Sequence, residues 1–292
     1  MLTTGPTGQP ANRPNRLFTY ASFVKLEHTV FSLPLIFAGA LLHARGRWPG
    51  WRLSLLIVSA AAGARVMAMG LNRLIDMEID ARNPRTKGRE LPRGAMAHWE
   101  AGAIVLLAAA LYGAVAGFLS PICMWLSPVP VALFVVYPYL KRFTAFAHLG
   151  LGLVWSMAPL GGWLAASGSL AAFGDIGWLW LFSVLWVAGF DIIYATMDEP
   201  FDREAGLHSL PARIGKRPAL RIAAILHAAA FLSLCALWRS QLHSPFALAW
   251  LLSIGALFIW QHAVAERRPE FAFFQLNGVL GFLVLGFVLA GT

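Results

Sequence analysis

Two stretches of this sequence carry acidic residues at helical spacing: "NRLIDMEIDARNPRTKGRELPRG" at 72–94 and "DIIYATMDEPFDREAGLHSLPARIGKRP" at 191–218. In the first, Asn72, Asp76 and Asp80 are four apart and share one face of a helix. In the second, Asp191, Tyr194, Asp198 and Asp202 follow at three, four and four. They share a face for as long as the helix continues, and Pro200 is expected to bend or end it, leaving Asp202 on a loop. Each stretch contains D-x-x-x-D, at Asp76/Asp80 and at Asp198/Asp202, and then a basic run that includes Leu-Pro. The pattern reads as a weak internal repeat, or as one ligand that needs the same equipment twice. Converging aspartates repel one another and need neutralising. An all-oxygen donor set without His or Cys suits Mg²⁺, whose remaining positions are commonly filled by substrate phosphates. The flanking Arg and Lys side chains are phosphate donors. The combination predicts a diphosphate held under a bridge of metal ions. One D-x-x-x-D alone reads as ordinary charge on a solvated loop, but two matched pairs, each joined to a basic run, argue against that.

The elements that must position these groups are membrane helices. The 292-residue chain is 58% hydrophobic and only 13% charged, with a mean hydropathy of +0.64. Its apolar residues fall in nine blocks, at 29–42, 53–70, 103–119, 124–140, 149–166, 176–195, 219–238, 246–264 and 271–291. Blocks of this length cross bilayer hydrocarbon, and a soluble bundle would be left with too little polar surface. Alternating nine spans from an inside N-terminus puts sixteen Lys and Arg on the inner side. Only Arg45, Arg47, Arg52 and Arg239 fall outside. The positive-inside bias therefore places both acidic motifs on the cytoplasmic side. Anionic headgroups beside the inner loops account for the net charge of +9, and no nucleic-acid module is visible. Cys123 at the edge of an expected span and Cys235 within one suggest neither a disulfide framework nor a metal site. Residues 1–16 are expected to form a disordered tail without the apolar stretch of a signal peptide. Residues 17–292 are expected to form a single transmembrane domain. Asn277, inside an apolar block, is expected to bond between helices or to line a pocket.

The motifs resemble those of the UbiA superfamily of intramembrane aromatic prenyltransferases. The first family signature, N-D-x-x-D-x-x-x-D, reads here "NRLIDMEID", and the second, D-x-x-Y-A-x-x-D-x-x-x-D, reads "DIIYATMDEPFD". "YPYLKRFT" at 137–144 and "GLHSLPARIG" at 206–215 fit as well. The resemblance runs from about residue 20 to the C-terminus. It implies an all-α integral membrane protein, a bundle of nine transmembrane helices around a central cavity. Together with "LEHTVFSLPLIFAGALL", the first motif looks most like the 4-hydroxybenzoate polyprenyltransferase branch. A close relative of that branch acts in the futalosine route to menaquinone.

On that likeness, the protein is expected to be a Mg²⁺-dependent enzyme of quinone (ubiquinone) biosynthesis in a bacterial inner membrane. It would move a polyprenyl group from polyprenyl diphosphate to the ring carbon ortho to the hydroxyl of 4-hydroxybenzoate. Asp76, Asp80, Asp198 and Asp202 are the expected metal ligands. Asn72, Arg73, Arg85, Lys87, Arg89, Lys141 and Arg142 are the expected diphosphate contacts. Arg73 stands where the family often has Asp, and supplies either a phosphate donor or a different surround for the metal. Asp191 is assigned to orienting the acceptor or easing its deprotonation, and Tyr194 to placing the chain or a phosphate oxygen. Glu27 and His28 are expected either at a helix end or on an acceptor carboxylate or hydroxyl. Rival readings are the same chemistry on a dihydroxynaphthoate-type or futalosine-pathway acid, or a secondary transporter. Besides its substrates and lipid, the sequence names no partner.

Overall fold

The computed structural model describes residues 16–25 and 29–292. The expected N-terminal tail up to residue 15 lies outside the described residues, as do Glu27 and His28. The described chain is all helical. The elements are α1 (Arg16–Val24), α2 (Thr29–His43), α3 (Trp51–Ile75), α4 (Met77–Arg82), α5 (His98–Leu119), α6 (Pro121–Leu126) and α7 (Pro128–Leu140). They continue with α8 (Ala147–Ser167), α9 (Phe173–Ala195), α10 (Glu199–Glu204), α11 (Leu210–Ile214), α12 (Lys216–Ser240), α13 (Pro245–Ala265) and α14 (Pro269–Gly291).

Among the described residues eight helical segments, not nine, are long and apolar enough to cross a bilayer: α3, α5, α6–α7 together, α8, α9, α12, α13 and α14. The first expected span is the exception. It forms α2, fifteen residues long, which at ~1.5 Å per residue rises only about 22 Å. The hydrocarbon is about 30 Å thick. Neighbouring protein encloses α2. A Cβ on Gly39 would meet the Pro159 carbonyl oxygen of α8 at 1.9 Å, and one on Gly162 of α8 would meet the Ile36 oxygen at 1.9 Å. Small residues let these two backbones touch, a common way for membrane helices to associate.

The most buried span is α9, the helix that ends in the second motif. Its Trp186 indole N–H donates to Asn277 Oδ1 of α14 at 2.9 Å, and Gln261 of α13 donates to the same oxygen at 3.1 Å. His227 Nε2–H of α12 donates to the Trp186 carbonyl at 3.0 Å. Asn277 therefore makes interhelical bonds to α9 and α13, and two helices, α14 and α12, hold α9 in register through polar contacts that lipid cannot replace. Leu106, Leu107, Ile225, Leu232 and Ile259 are exposed, as expected of a surface that faces hydrocarbon rather than water.

Between α2, α3, α7 and α8 lies a cavity of about 620 Å³. Its walls are apolar side chains such as Ile36, Ile57, Phe134 and Trp155, with one charged residue, Arg65.

Candidate active site

The two motifs fold the same way. α3 breaks at Asp76 and α9 ends at Ala195, three residues before Asp198; in both motifs the first D-x-x-x-D aspartate caps a six-residue helix. Asp76 (φ −93°, ψ 3°) joins α3 to α4, and Asp198 (φ −103°, ψ 1°) precedes α10. In both, the second aspartate's N–H donates to the carbonyl of the first at 2.8 Å. The repeat seen in the sequence is a repeat of backbone geometry. Pro200 occupies the first turn of α10, where its missing N–H costs nothing and its fixed φ suits helix entry. Asp202 is thereby carried on a helix, not a loop.

Each motif aspartate meets a cation or a donor. Lys141 Nζ lies 2.6 Å from Asp76 Oδ2, and Asn72 donates to the same oxygen at 3.1 Å. Arg142 donates to the Ile75 carbonyl at 2.7 Å and lies 3.7 Å from Asp76 Oδ1. Arg89 donates to Asp80 at 2.6 Å. The motifs are joined through Asp198, which accepts from Asn83 Nδ2 at 2.9 Å and from Arg85 Nε at 2.9 Å. Arg85 also donates to the Tyr194 hydroxyl. Ser209 beside Asp202 pulls that carboxyl downward, and the Leu207 N–H donates to the Asp202 backbone carbonyl at 2.8 Å. Lys87 is exposed on the same loop, and no described carboxylate lies within ion-pair distance of it.

Burial pushes the Asp76 carboxyl above the ordinary carboxylate range, against the downward pull of Lys141. Burial raises Asp202 as well, helped by the charge of Asp198. Burial alone would lower Arg85, but the hydrogen bond to Asp198 and the neighbouring Tyr194 outweigh it and hold the guanidinium above its usual value. The site is thus a set of partly buried acids, cross-linked by cations that could serve phosphate instead.

The donor set fits Mg²⁺ on two counts. All four ligand candidates are carboxylates, and the buried Oδ1 of Asp76 has no hydrogen-bond partner. Among the described residues no three Asp, Glu, His or Cys converge closely enough to hold one ion. An ion held by one or two carboxylates completes its shell with water and phosphate oxygens, the usual arrangement for Mg²⁺.

Arg73 faces elsewhere. Its guanidinium donates to Glu90 at 2.8 Å, with side-chain exposures of 5% and 7%. Ser22 of α1 donates to the other Glu90 oxygen at 2.6 Å. The pair ties α3 and α1 to the 83–97 loop that carries Arg85 and Arg89, and a diphosphate contact from Arg73 would require it to open. Arg73→Met alone is expected to destabilise the protein by about 3–5 kcal/mol, because Glu90 is left as a buried unpaired charge. The double replacement with Glu90→Met is expected to recover most of that loss. Thermal unfolding of the purified variants checks this, and equal losses in the single and double variants would refute it.

Three functional candidates were not singled out from the sequence. Asn83 bridges the motifs. His148, at the start of α8, donates from Nδ1 to Asp191 at 2.6 Å. Arg65 lies on α3 about three turns before Asp76. Its guanidinium carbon is 5.4 Å from the Trp155 ring centroid, and its buried Nε has no partner. Arg65 had a signal, a charge inside an apolar block. His148 had none, since its partner is 43 residues away.

Comparison with known proteins shows what the chain is similar to. The profile of the UbiA prenyltransferase family matches residues 32–288. A 4-hydroxybenzoate octaprenyltransferase of Cupriavidus metallidurans is 29% identical over 98% of this chain and 97% of its own length. One of Shewanella woodyi is 26% identical over 93% and 97%. The apo structure of a UbiA homolog from Aeropyrum pernix K1 superposes with a TM-score of 0.83 at 35% identity, covering 88% of this chain and 95% of that one. A UbiA homolog from Archaeoglobus fulgidus, bound to GPP and Mg²⁺, shares the fold with a TM-score of 0.69 at 17% identity, covering 94% and 100%.

Proposed function

Since the chain belongs to the UbiA prenyltransferase family, we propose that it transfers a polyprenyl group from its diphosphate to the ring of an aromatic acid, namely 4-hydroxybenzoate. The observation that carries the acceptor class is Arg65, a cation in the wall of an apolar cavity with no acid partner among the described residues. Burying a charge unpaired is costly, and a substrate carboxylate supplies the missing partner. Tryptophan beside the guanidinium favours a flat ring there.

The depths are consistent with this. Arg65 lies about 16 Å along its helix from Asp76, and Asp191 about 10 Å along its helix from Asp198, at ~1.5 Å per residue. The difference of about 6 Å in depth suits a single ring with a carboxylate at one end, on Arg65, and a hydroxyl at the other, on Asp191. The ring carbon beside the hydroxyl then faces the diphosphate end of the site.

Asp76, Asp80, Asp198 and Asp202 would hold Mg²⁺, which when bound supplies charge neutralisation for the departing diphosphate. Lys141, Arg89 and Arg85, released from their aspartates, would turn to phosphate oxygens and stabilise the growing negative charge. Asn83 and Asn72 hold the two motifs in place. Beyond Arg65 the cavity walls are apolar, so the isoprenoid and its allylic cation are kept from water. A transporter reading finds no support in a family of prenyl-transferring enzymes.

Purified protein given Mg²⁺, labelled polyprenyl diphosphate and a set of acceptors tests the reading. 4-Hydroxybenzoate is expected to be prenylated and 4-hydroxybenzyl alcohol to be a poor acceptor. Preference for a dihydroxynaphthoate or a futalosine-pathway acid would change the named acceptor and keep the chemistry. Transfer to the alcohol as fast as to the acid would remove the role of Arg65.

A further inference from the structure

We propose that His148 is a positioning residue for Asp191, with its tautomer fixed by the backbone of the second-motif loop. The inference rests on the proposed role of Asp191 at the acceptor hydroxyl. The Leu210 N–H donates to His148 Nε2 at 3.1 Å. A nitrogen that accepts carries no proton, so the neutral ring holds its proton on Nδ1. That proton points at Asp191 Oδ2, 2.6 Å away. The imidazole is almost wholly enclosed, with 7% of its side chain exposed, whereas Asp191 keeps 21%.

Two consequences follow from the geometry. One carboxylate oxygen of Asp191 is committed to His148, and the carboxylate plane is fixed, leaving Oδ1 as the acceptor for a substrate hydroxyl. A metal-bound histidine is commonly oriented through its second nitrogen, and here a carboxylate is oriented through a histidine whose second nitrogen reads a loop amide. The loop is itself tied to the metal side, because the Leu207 N–H donates to the Asp202 backbone carbonyl at 2.8 Å and the His208 N–H donates to the Lys141 carbonyl at 2.7 Å. His148 therefore sets Asp191 by reference to the same segment that holds the diphosphate end.

The test compares His148→Leu, His148→Asn and His148→Gln in the full chain. Glutamine has both a donor and an acceptor and can reach both partners, whereas leucine offers neither and asparagine is too short. His148→Leu is expected to lower kcat/KM for the aromatic acid by roughly 10- to 100-fold, the loss of one hydrogen bond to a charged group. The KM for prenyl diphosphate is expected to stay unchanged. His148→Gln is expected to restore most of the loss, and His148→Leu added to Asp191→Asn is expected to cost nothing further. If the Leu protein fails to fold, the Asn and Gln proteins carry the comparison. Equal losses for both substrates, or no rescue by Gln, would overturn the proposal. If the wild type prenylates no aromatic acid, the functional reading fails by itself. Amide exchange at Leu210 then decides the His148 link: protection in the wild type and Gln protein with release in the Leu protein supports it, and unchanged exchange refutes it.

Discussion

Asp198→Ala is expected to lower prenyl transfer by at least about 10²–10³-fold, the usual loss when a group that stabilises developing charge is removed. The same substitution has a second, opposite effect that marks the mechanism. Asp198 occupies Arg85 and Asn83, so removing it frees both for phosphate. Binding of inorganic diphosphate without Mg²⁺ is therefore expected to tighten in Asp198→Ala, while binding with Mg²⁺ weakens. The wild-type site behaves the other way. Lys141–Asp76, Arg89–Asp80 and Arg85–Asp198 are internal pairs that either ligand alone must break at a loss. Mg²⁺ frees the cations that diphosphate needs, and diphosphate frees the acids that Mg²⁺ needs. Each ligand should thus raise the affinity of the other by the same factor, on the order of tenfold or more. Calorimetry with each ligand alone and with the other saturating measures this directly. Turnover of Asp198→Ala within tenfold of wild type, with unchanged Mg²⁺ dependence, would remove Asp198 from the metal-diphosphate site.

The parts of this site that depend on local spacing could be read from the sequence. Asp76 and Asp80, or Asp198 and Asp202, are neighbours because a helix makes residues four apart neighbours, and that holds before any tertiary structure exists. The long spans were legible for the same reason, since twenty apolar residues carry their own solution to the backbone problem in lipid. What was not legible depends on partners distant in the chain. α2 falls short of a full span in the described residues and is walled by α8, which its own composition does not reveal. Arg73 looked like a phosphate donor beside the motif, but Glu90, seventeen residues on, holds it. Pro200 looked set to bend or end the helix of the second motif. α9 already ends at Ala195, Pro200 lies in the first turn of α10, and Asp76 breaks its own helix with no proline at all. Proline therefore tolerates that break and does not cause it.

Arg65→Met is expected to raise the KM for the aromatic acid by roughly 30- to several-thousand-fold. This corresponds to the ~2–5 kcal/mol lost when one partner of a buried, hydrogen-bonded charge pair is truncated. Prenyl diphosphate binding should be untouched, because Arg65 lies about three helical turns from Asp76, well beyond a phosphate contact. Arg65→Lys should keep part of the acid affinity, since the charge survives while the flat fork that matches a carboxylate is lost. Stability is expected to move against activity. The structure holds the guanidinium against Trp155 with a buried nitrogen unpartnered, and an apolar side chain of similar length removes that cost. Arg65→Met should therefore unfold at a higher temperature than the wild type in the absence of acceptor, as substitutions at strained functional positions often do. Added 4-hydroxybenzoate should stabilise the wild type by mass action and leave the variant unmoved. An arginine that served only to pack α3 against α8 would give the reverse: a less stable variant with unchanged KM for the acid. The two readouts together separate a carboxylate site from a packing residue, even before any product is identified.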